Sequence, residues 1–139
     1  IDYIINKLKY KVVMLGGGND NICNSISKIN RDVIDLHGKL ALRESIALIS
    51  CSNLTIGSDT GLMHASEAVG VPVVMIMGPT STQMGGGVML ENSFTVEENI
   101  WCRPCSQNGQ RPCYRSQQYC MNQISSSNVI NAVKGVLDR

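Results

Sequence analysis

Four short apolar runs constrain this chain more than any other feature. They are Lys11–Leu15 (KVVML), Asp32–Leu36 (DVIDL), Leu54–Ser58 (LTIGS) and Pro72–Met77 (PVVMIM). Runs of this length, rich in β-branched residues and closed by small or polar residues, read as strands buried on both faces. Between them the apolar period changes. Ile22, Ile26 and Ile29 recur at helical spacing, which predicts a helix from about Asn19 to Asn30, and Leu42, Ile46 and Ile49 do the same across Ala41–Cys51. Gly61–Val69 reads as a third helix. Strands alternating with helices through short loops require βαβ units, because a parallel neighbour is reached only by a crossover. Right-handed crossovers then give an α/β fold: a Rossmann-like parallel sheet with helices on both faces.

After Thr80 the alternation stops. Ser81–Gly87 (STQMGGG) is polar and glycine-rich, as a surface loop near a ligand would be. Phe94–Glu97 reads as one more short strand, and a cysteine-rich segment occupies 102–120. A closing helix at about 125–138 presents Val129, Val133, Val136 and Leu137 on one face, with Ser126 or Ser127 as its N-cap. No internal repeat or linker interrupts the chain, so its 139 residues read as a single domain. Hydrophobic residues at 43% against 17% charged fit a packed core rather than disorder. A formal net charge of +1 provides no footprint for nucleic acid. No apolar run approaches the roughly 20 residues of a membrane helix, which leaves at most peripheral membrane contact and a cytoplasmic location as the expectation. The start, IDYIINKLKYK, has neither an initiator Met nor a signal-peptide layout, and reads as the interior of a longer protein.

In open parallel sheets, ligands bind at the carboxyl ends of the strands. Asp59, Thr60 and Gly61 stand at such a place, between the third strand and the next helix. Gly61 leaves room for backbone approach, and the unpaired N–H groups of the helix start favour a phosphate or diphosphate. Thr60 can donate a hydroxyl hydrogen bond, and His64 lies four residues on, on the same face. The turn Gly78, Pro79 and Thr80 ends the next strand at the same edge. The residues also admit a plainer reading, in which Asp59 caps the helix and His64 packs. Gly16–Gly18 do not match G-x-G-x-x-G, and there is no G-x-x-x-x-G-K-[ST] loop. On residue chemistry alone, the site is an anion pocket.

The order of these residues resembles the signature of glycosyltransferase family 9, the ADP-heptose:lipopolysaccharide heptosyltransferases. That family's D-T-G-x-x-H-x-A-x-A-x-G-x-P, strand, G-P-T pattern is met by Asp59–Pro72 and Gly78–Thr80, with Ser66 and Glu67 standing where small apolar residues are usual. Val12–Gly17 is similar to its V-V-L-L-G-G, and His37–Glu44 to its G-K-T-S-L-x-E, with Leu40 and Ala41 in place of Thr-Ser. Cys102, Cys105, Cys113 and Cys120-Met121 followed by Ile124 match a C-x-P-C…C…C-M-x-x-I tail. The resemblance implies the C-terminal, donor-binding half of a GT-B glycosyltransferase, whose first strand is expected to precede Ile1. It implies that Asp59, Thr60 and Gly61 hold the diphosphate and sugar, and that His64 supports phosphate charge. Leu40 would flank the adenine, Gly17 to Asp20 would approach the ribose, and Gly78, Pro79 and Thr80 would shape the rim. The reaction implied is inverting transfer of a heptose or related sugar from ADP-heptose or a similar donor to a lipopolysaccharide core acceptor. It needs no cofactor for catalysis and proceeds at the inner face of the bacterial inner membrane. The general base is expected in the absent acceptor half, so the fragment alone should be inactive. A GT-B relative such as an epimerase, or a non-catalytic metal-stabilised binding module, is the alternative.

The four clustered cysteines form C-x2-C-x7-C-x6-C. Their number suits a structural Zn or Fe site, although the spacing departs from the commonest paired knuckles. Packed thiols and disulfides remain open beside it, the latter disfavoured in a reducing compartment. Arg103, Arg111 and Arg115 lie among them and would favour thiolates. Cys23 and Cys51 stand alone in helical patterns and read as small buried hydrophobes.

Overall fold

The computed structural model describes residues 1–138. The chain divides into two compact units, Ile1–Ala47 and Leu48–Arg139. In the first, helix α1 (Asp2–Asn6) precedes β1 (Val12–Met14), α2 (Asn21–Ile29) and β2 (Val33–Asp35). Strands β1 and β2 pair in parallel, with Val12 opposite Val33 and Met14 opposite Asp35. Helix α3 (Leu42–Ser50) follows. The expected strands and helices are present, each trimmed by a residue or two.

Helix α2 turns a different face inward from the one its isoleucines suggest. Ile22 and Ile29 are 68% and 85% exposed, while Cys23 is 5% exposed. The reason is a polar dock. Ser27, one turn beyond Cys23, hydrogen-bonds the Cys23 carbonyl and the Asp35 carboxylate at the end of β2. That bond holds the Cys23–Ser27 side of the helix against the strand; Ile26 stays half-buried, while Ile22 and Ile29 face solvent. In α3 likewise, Ile49 is buried but Leu42 is exposed.

The second unit contains β3 (Thr55–Ser58), α4 (Gly61–Ala68), β4 (Val73–Met77), a 3-10 turn (Thr82–Met84), β5 (Phe94–Glu97), α5 (Tyr119–Asn122) and α6 (Ser126–Leu137). Its three strands are parallel in the order β3-β4-β5. Ser58 pairs with Ile76, and Ile76 with Val96. Alternation along β4 sends Val73, Met75 and Met77 to the face where they cluster with Met63 of α4, closed by Val88. Val74 points the other way and is in register with Phe94, whose ring lies 2.9 Å from where a Cβ on Gly135 of α6 would stand. Both faces of this sheet are therefore covered, as continuous apolar strands require. Gly57 has a similar duty in β3, since a Cβ there would come within 3.0 Å of the Met63 sulfur.

The closing helix starts on Ser125, not Ser126 or Ser127: the Ser125 hydroxyl accepts the Asn128 N–H at 3.2 Å. Ser66 is fully buried in α4, hydrogen-bonded to the Val71 carbonyl and the Thr55 hydroxyl. Its polarity is thus absorbed by the β3–α4–β4 crossover. No helix of the described residues is long and apolar enough to cross a membrane.

Candidate functional site

At the junction after β3, Asp59 does not cap the helix. The N-cap of α4 is Thr60, in extended backbone, and no side chain caps the helix. Asp59 instead reaches sideways. One carboxylate oxygen lies 3.0 Å from His64 Nε2, and the other accepts the Thr80 hydroxyl at 3.0 Å. Asp59, Thr80 and His64 thus form one hydrogen-bonded group beside a helix start whose first N–H groups have no side-chain partner. A Cβ on Gly61 would meet no atom within 4 Å, so the space before the helix is open to a guest. The Asp59 side chain is 18% exposed and that of His64 44%. The carboxylate is therefore the anchor, and the imidazole is the group presented outward. With Nε2–H donated to Asp59, Nδ1 can donate to an anion only in the protonated ring.

The glycine-rich loop completes this group. Gly85 and Gly87 adopt left-handed φ values of 87° and 91°, a region that favours glycine. A Cβ on Gly86 would stand 2.9 Å from the Asp59 carboxylate, so the loop backbone lies directly against Asp59. Sequence reading missed what holds the loop. Glu67, buried in α4, accepts the N–H groups of Met89 and Leu90 at 2.8 and 3.0 Å through one oxygen. Its other oxygen has no hydrogen-bond partner among the described residues. The available signal was a carboxylate inside an apolar helix, since an acidic side chain is rarely buried without partners.

In the first unit, Gly17 and Asp20 share one turn. Asp20 accepts the Gly17 N–H at 2.6 Å, so its carboxylate shapes the loop that carries it. The loops after β1 and β2 touch: Gly38 N–H donates to the Gly16 carbonyl at 2.9 Å. Gly38 has a φ of 67°, and a Cβ there would lie 2.8 Å from the Gly18 Cα. Leu40, half-buried, follows on the second loop. A second carboxylate–imidazole pair, Asp35 with His37, lies beside them. Asp35 accepts from Ser27, from the His37 ring and from the His37 N–H. The Ser27 bond, then the His37 bond, hold its pKa down at about 2. These donors use both its oxygens, so the pair is a fixture of the fold.

The cysteines do not converge. All six are free thiols, and no three His, Cys, Asp or Glu side chains among the described residues are placed to hold a metal ion. Cys102 accepts from Arg115, which stacks on the rings of Trp101 and Tyr119 at 5.3 and 4.2 Å. Cys113 donates to the Gln117 carbonyl, and Cys120 is buried beneath Gly78. As arranged, the expected ligands Cys102, Cys105, Cys113 and Cys120 do not fit a four-coordinate ion: no three of them are placed around one point, and Cys113 also bonds the Gln117 carbonyl. Nor do the guanidinium groups prevail at Cys120. Burial pushes that thiol up, aided by Cys105, against the pull of Arg103. Cys51 is exposed rather than buried.

The fold is an open parallel α/β arrangement, and the Asp59–His64–Thr80 group stands at the carboxyl ends of β3 and β4. A family model described as "Glycosyltransferase family 9 (heptosyltransferase)" matches residues 3–114. The chain belongs to glycosyltransferase family 9. It is 28% identical over 134 residues to lipooligosaccharide heptosyltransferase 2 of Campylobacter jejuni serotype O:2, covering 92% of this chain and 41% of that protein. It is 40% identical over 50 residues to the enzyme of the same name from Haemophilus influenzae, covering 36% of this chain and 14% of that one. Among solved structures, a family 9 glycosyl transferase from Veillonella parvula superposes with a TM-score of 0.73 at 23% identity, over 96% of this chain and 38% of that one. The iron-containing dodecameric heptosyltransferase TibC, solved with ADP-D-beta-D-heptose, gives 0.63 at 22% identity, over 78% and 31%. The chain spans 41% of the length of the Campylobacter jejuni serotype O:2 relative.

Proposed function

We propose that this chain is the donor-binding part of an inverting glycosyltransferase that passes a heptose, or a related sugar, from a nucleoside diphosphate to a hydroxyl of a lipopolysaccharide core. The observation that carries the reading is the Asp59–His64–Thr80 group beside the uncapped start of α4 in a family 9 chain. A diphosphate suits that helix start because its N–H groups and dipole favour negative charge. The TibC structure, which holds ADP-D-beta-D-heptose, supports the class of donor.

The two hydrogen bonds refine the role of Asp59. A carboxylate repels phosphate oxygens, and both Asp59 oxygens already accept from the protein. Asp59 therefore orients His64 and Thr80, and a hydroxyl is the part of the guest that it can accept. His64 and the N–H groups of Gly61 and Leu62 face the diphosphate, and Thr60 adds a hydroxyl. Gly78, Pro79 and Thr80 form the rim. The base that deprotonates the acceptor lies outside this chain, in an acceptor domain, and the enzyme works on the cytoplasmic side where nucleotide sugars are made. A structural metal at the cysteines is a subsidiary reading, which needs the thiols of Cys102, Cys105, Cys113 and Cys120 to draw together. Stoichiometric iron or zinc in protein purified without chelator would support it.

Isothermal titration with ADP tests the main reading. The wild-type chain is expected to bind. Asp59→Ala with His64→Ala should weaken binding by about tenfold or more, the scale of a lost charged hydrogen bond. Unchanged affinity in the double variant would overturn the assignment.

A further inference from the structure

The Gly78–Thr80 turn is held from behind at every residue by the cysteine-rich segment. Gly78 is the floor on which Met121 and Cys120 rest: a Cβ there would stand 2.6 Å from the Met121 sulfur. The Pro79 carbonyl accepts the N–H groups of Cys105 and Ser106 at 3.0 and 3.3 Å. The Thr80 carbonyl accepts Arg103 Nη2 at 2.9 Å.

Arg103 is the hub of this grip. Its side chain is only 8% exposed. Nη2 also meets the Glu97 carboxylate at 2.7 Å, and Nη1 donates to the Glu98 carbonyl at 2.6 Å. Nε is buried with no hydrogen-bond partner among the described residues. A desolvated guanidinium is costly unless its donors are used, so this one is retained against a penalty. What it joins is the end of β5 to the carbonyl of Thr80. The hydroxyl of that same residue donates to Asp59, and Asp59 holds His64. One line of contacts therefore runs Glu97, Arg103, Thr80, Asp59, His64.

We propose that Arg103 is a positioning residue for the donor site. It fixes the Thr80 backbone so that the hydroxyl stays in hydrogen-bond range of Asp59, and so sets the His64 ring. The proposal rests on the donor-binding reading of that group. Hydrogen bonds weaken steeply with distance and angle, so a shift of about 1 Å in the turn would release the Thr80–Asp59 bond. Lysine cannot replace this fork. A single ammonium meets Glu97 as a point charge, but does not also span the Glu98 and Thr80 carbonyls in one plane.

The experiment uses the chain with Arg103→Gln and Arg103→Lys, read by ADP titration, amide hydrogen exchange and the His64 ring signals in NMR. In Arg103→Gln, the Cys105 and Ser106 amides should exchange faster, the His64 signals should move, and ADP should bind about tenfold more weakly. Exchange at Met75 should stay unchanged, and Arg103→Lys should fall between. If the two residues act through one path, combining Arg103→Gln with Thr80→Val should cost less affinity than the sum of the singles. Should Arg103→Gln fail to fold, Glu97→Gln loosens the same fork from its other end and is read identically. A wild-type chain that binds no ADP overturns the donor reading, and Arg103 is then judged on exchange and the His64 signals. A folded variant with unchanged Cys105 and Ser106 exchange and unmoved His64 signals overturns the positioning role. So does unaltered ADP affinity where the wild type binds.

Discussion

The two sheets begin from the same kind of sequence and end in different environments. In β4, Val73, Val74, Met75 and Met77 are all 0% exposed, with α4 against one face and α6 against the other. In β1 and β2, Val13 and Ile34 point away from the helix-covered side and are 36% and 45% exposed. Both pairs of strands are parallel and apolar. The difference is how many helices each sheet has to cover it. A run such as VVM states that a strand forms, but not that both of its faces are packed.

Substitutions should separate the two sheets most clearly. Met75→Ala is expected to cost about 2–5 kcal/mol in urea unfolding, since it removes a packed side chain and leaves a cavity. Ile34→Ala, at a half-open position, should cost about 1 kcal/mol or less, in line with a surface change. Equal costs would break the comparison. A smaller contrast lies in the helix starts of the second unit. Ser125→Ala should cost about 1 kcal/mol because a capping bond is lost. Thr60→Ala should leave stability almost unchanged, since its hydroxyl caps nothing, while weakening ADP binding. A stability loss at Thr60 as large as at Ser125 would return the α4 junction to a merely structural role.

The subtlest test is pH, and it reads the first unit. The folded pKa of Asp35 is depressed to about 2 from an ordinary 3.8. A depressed carboxylate stabilises the fold above its unfolded pKa, and that contribution is lost as pH falls. Wild-type stability should therefore drop between about pH 4 and pH 2, and Asp35→Asn should flatten that limb. An acid limb unchanged in Asp35→Asn would show that the Ser27 and His37 bonds contribute nothing in solution.

Local pattern made the strand–helix alternation legible, and with it the junction at Asp59, Thr60 and Gly61. Which way a helix faces was not legible where a polar contact overrode the apolar stripe. Ile22 and Ile29 mark a helix, yet Ser27 docks it on Asp35 and leaves them in water. The cap at Ser125 was missed by one residue, which is the ordinary error of an element boundary. Glu67 looked only like a departure from an apolar pattern, because its partners, Met89 and Leu90, lie on a loop whose path periodicity does not encode.

By itself, the sequence determined the elements, their order, and the residue types that stand where a strand runs into a helix. These follow from periods of two and 3.6 and from loop chemistry, all of which act over a few neighbouring residues. The tertiary structure decided what Asp59 does. Parallel register sets Ser58 beside Ile76, which brings the turn after β4 level with the turn after β3 and places Thr80 at the Asp59 carboxylate. Arg103 then reaches that turn from the cysteine segment. The two hydrogen bonds join residues 21 and 23 positions apart, and chain packing rather than local propensity selects them.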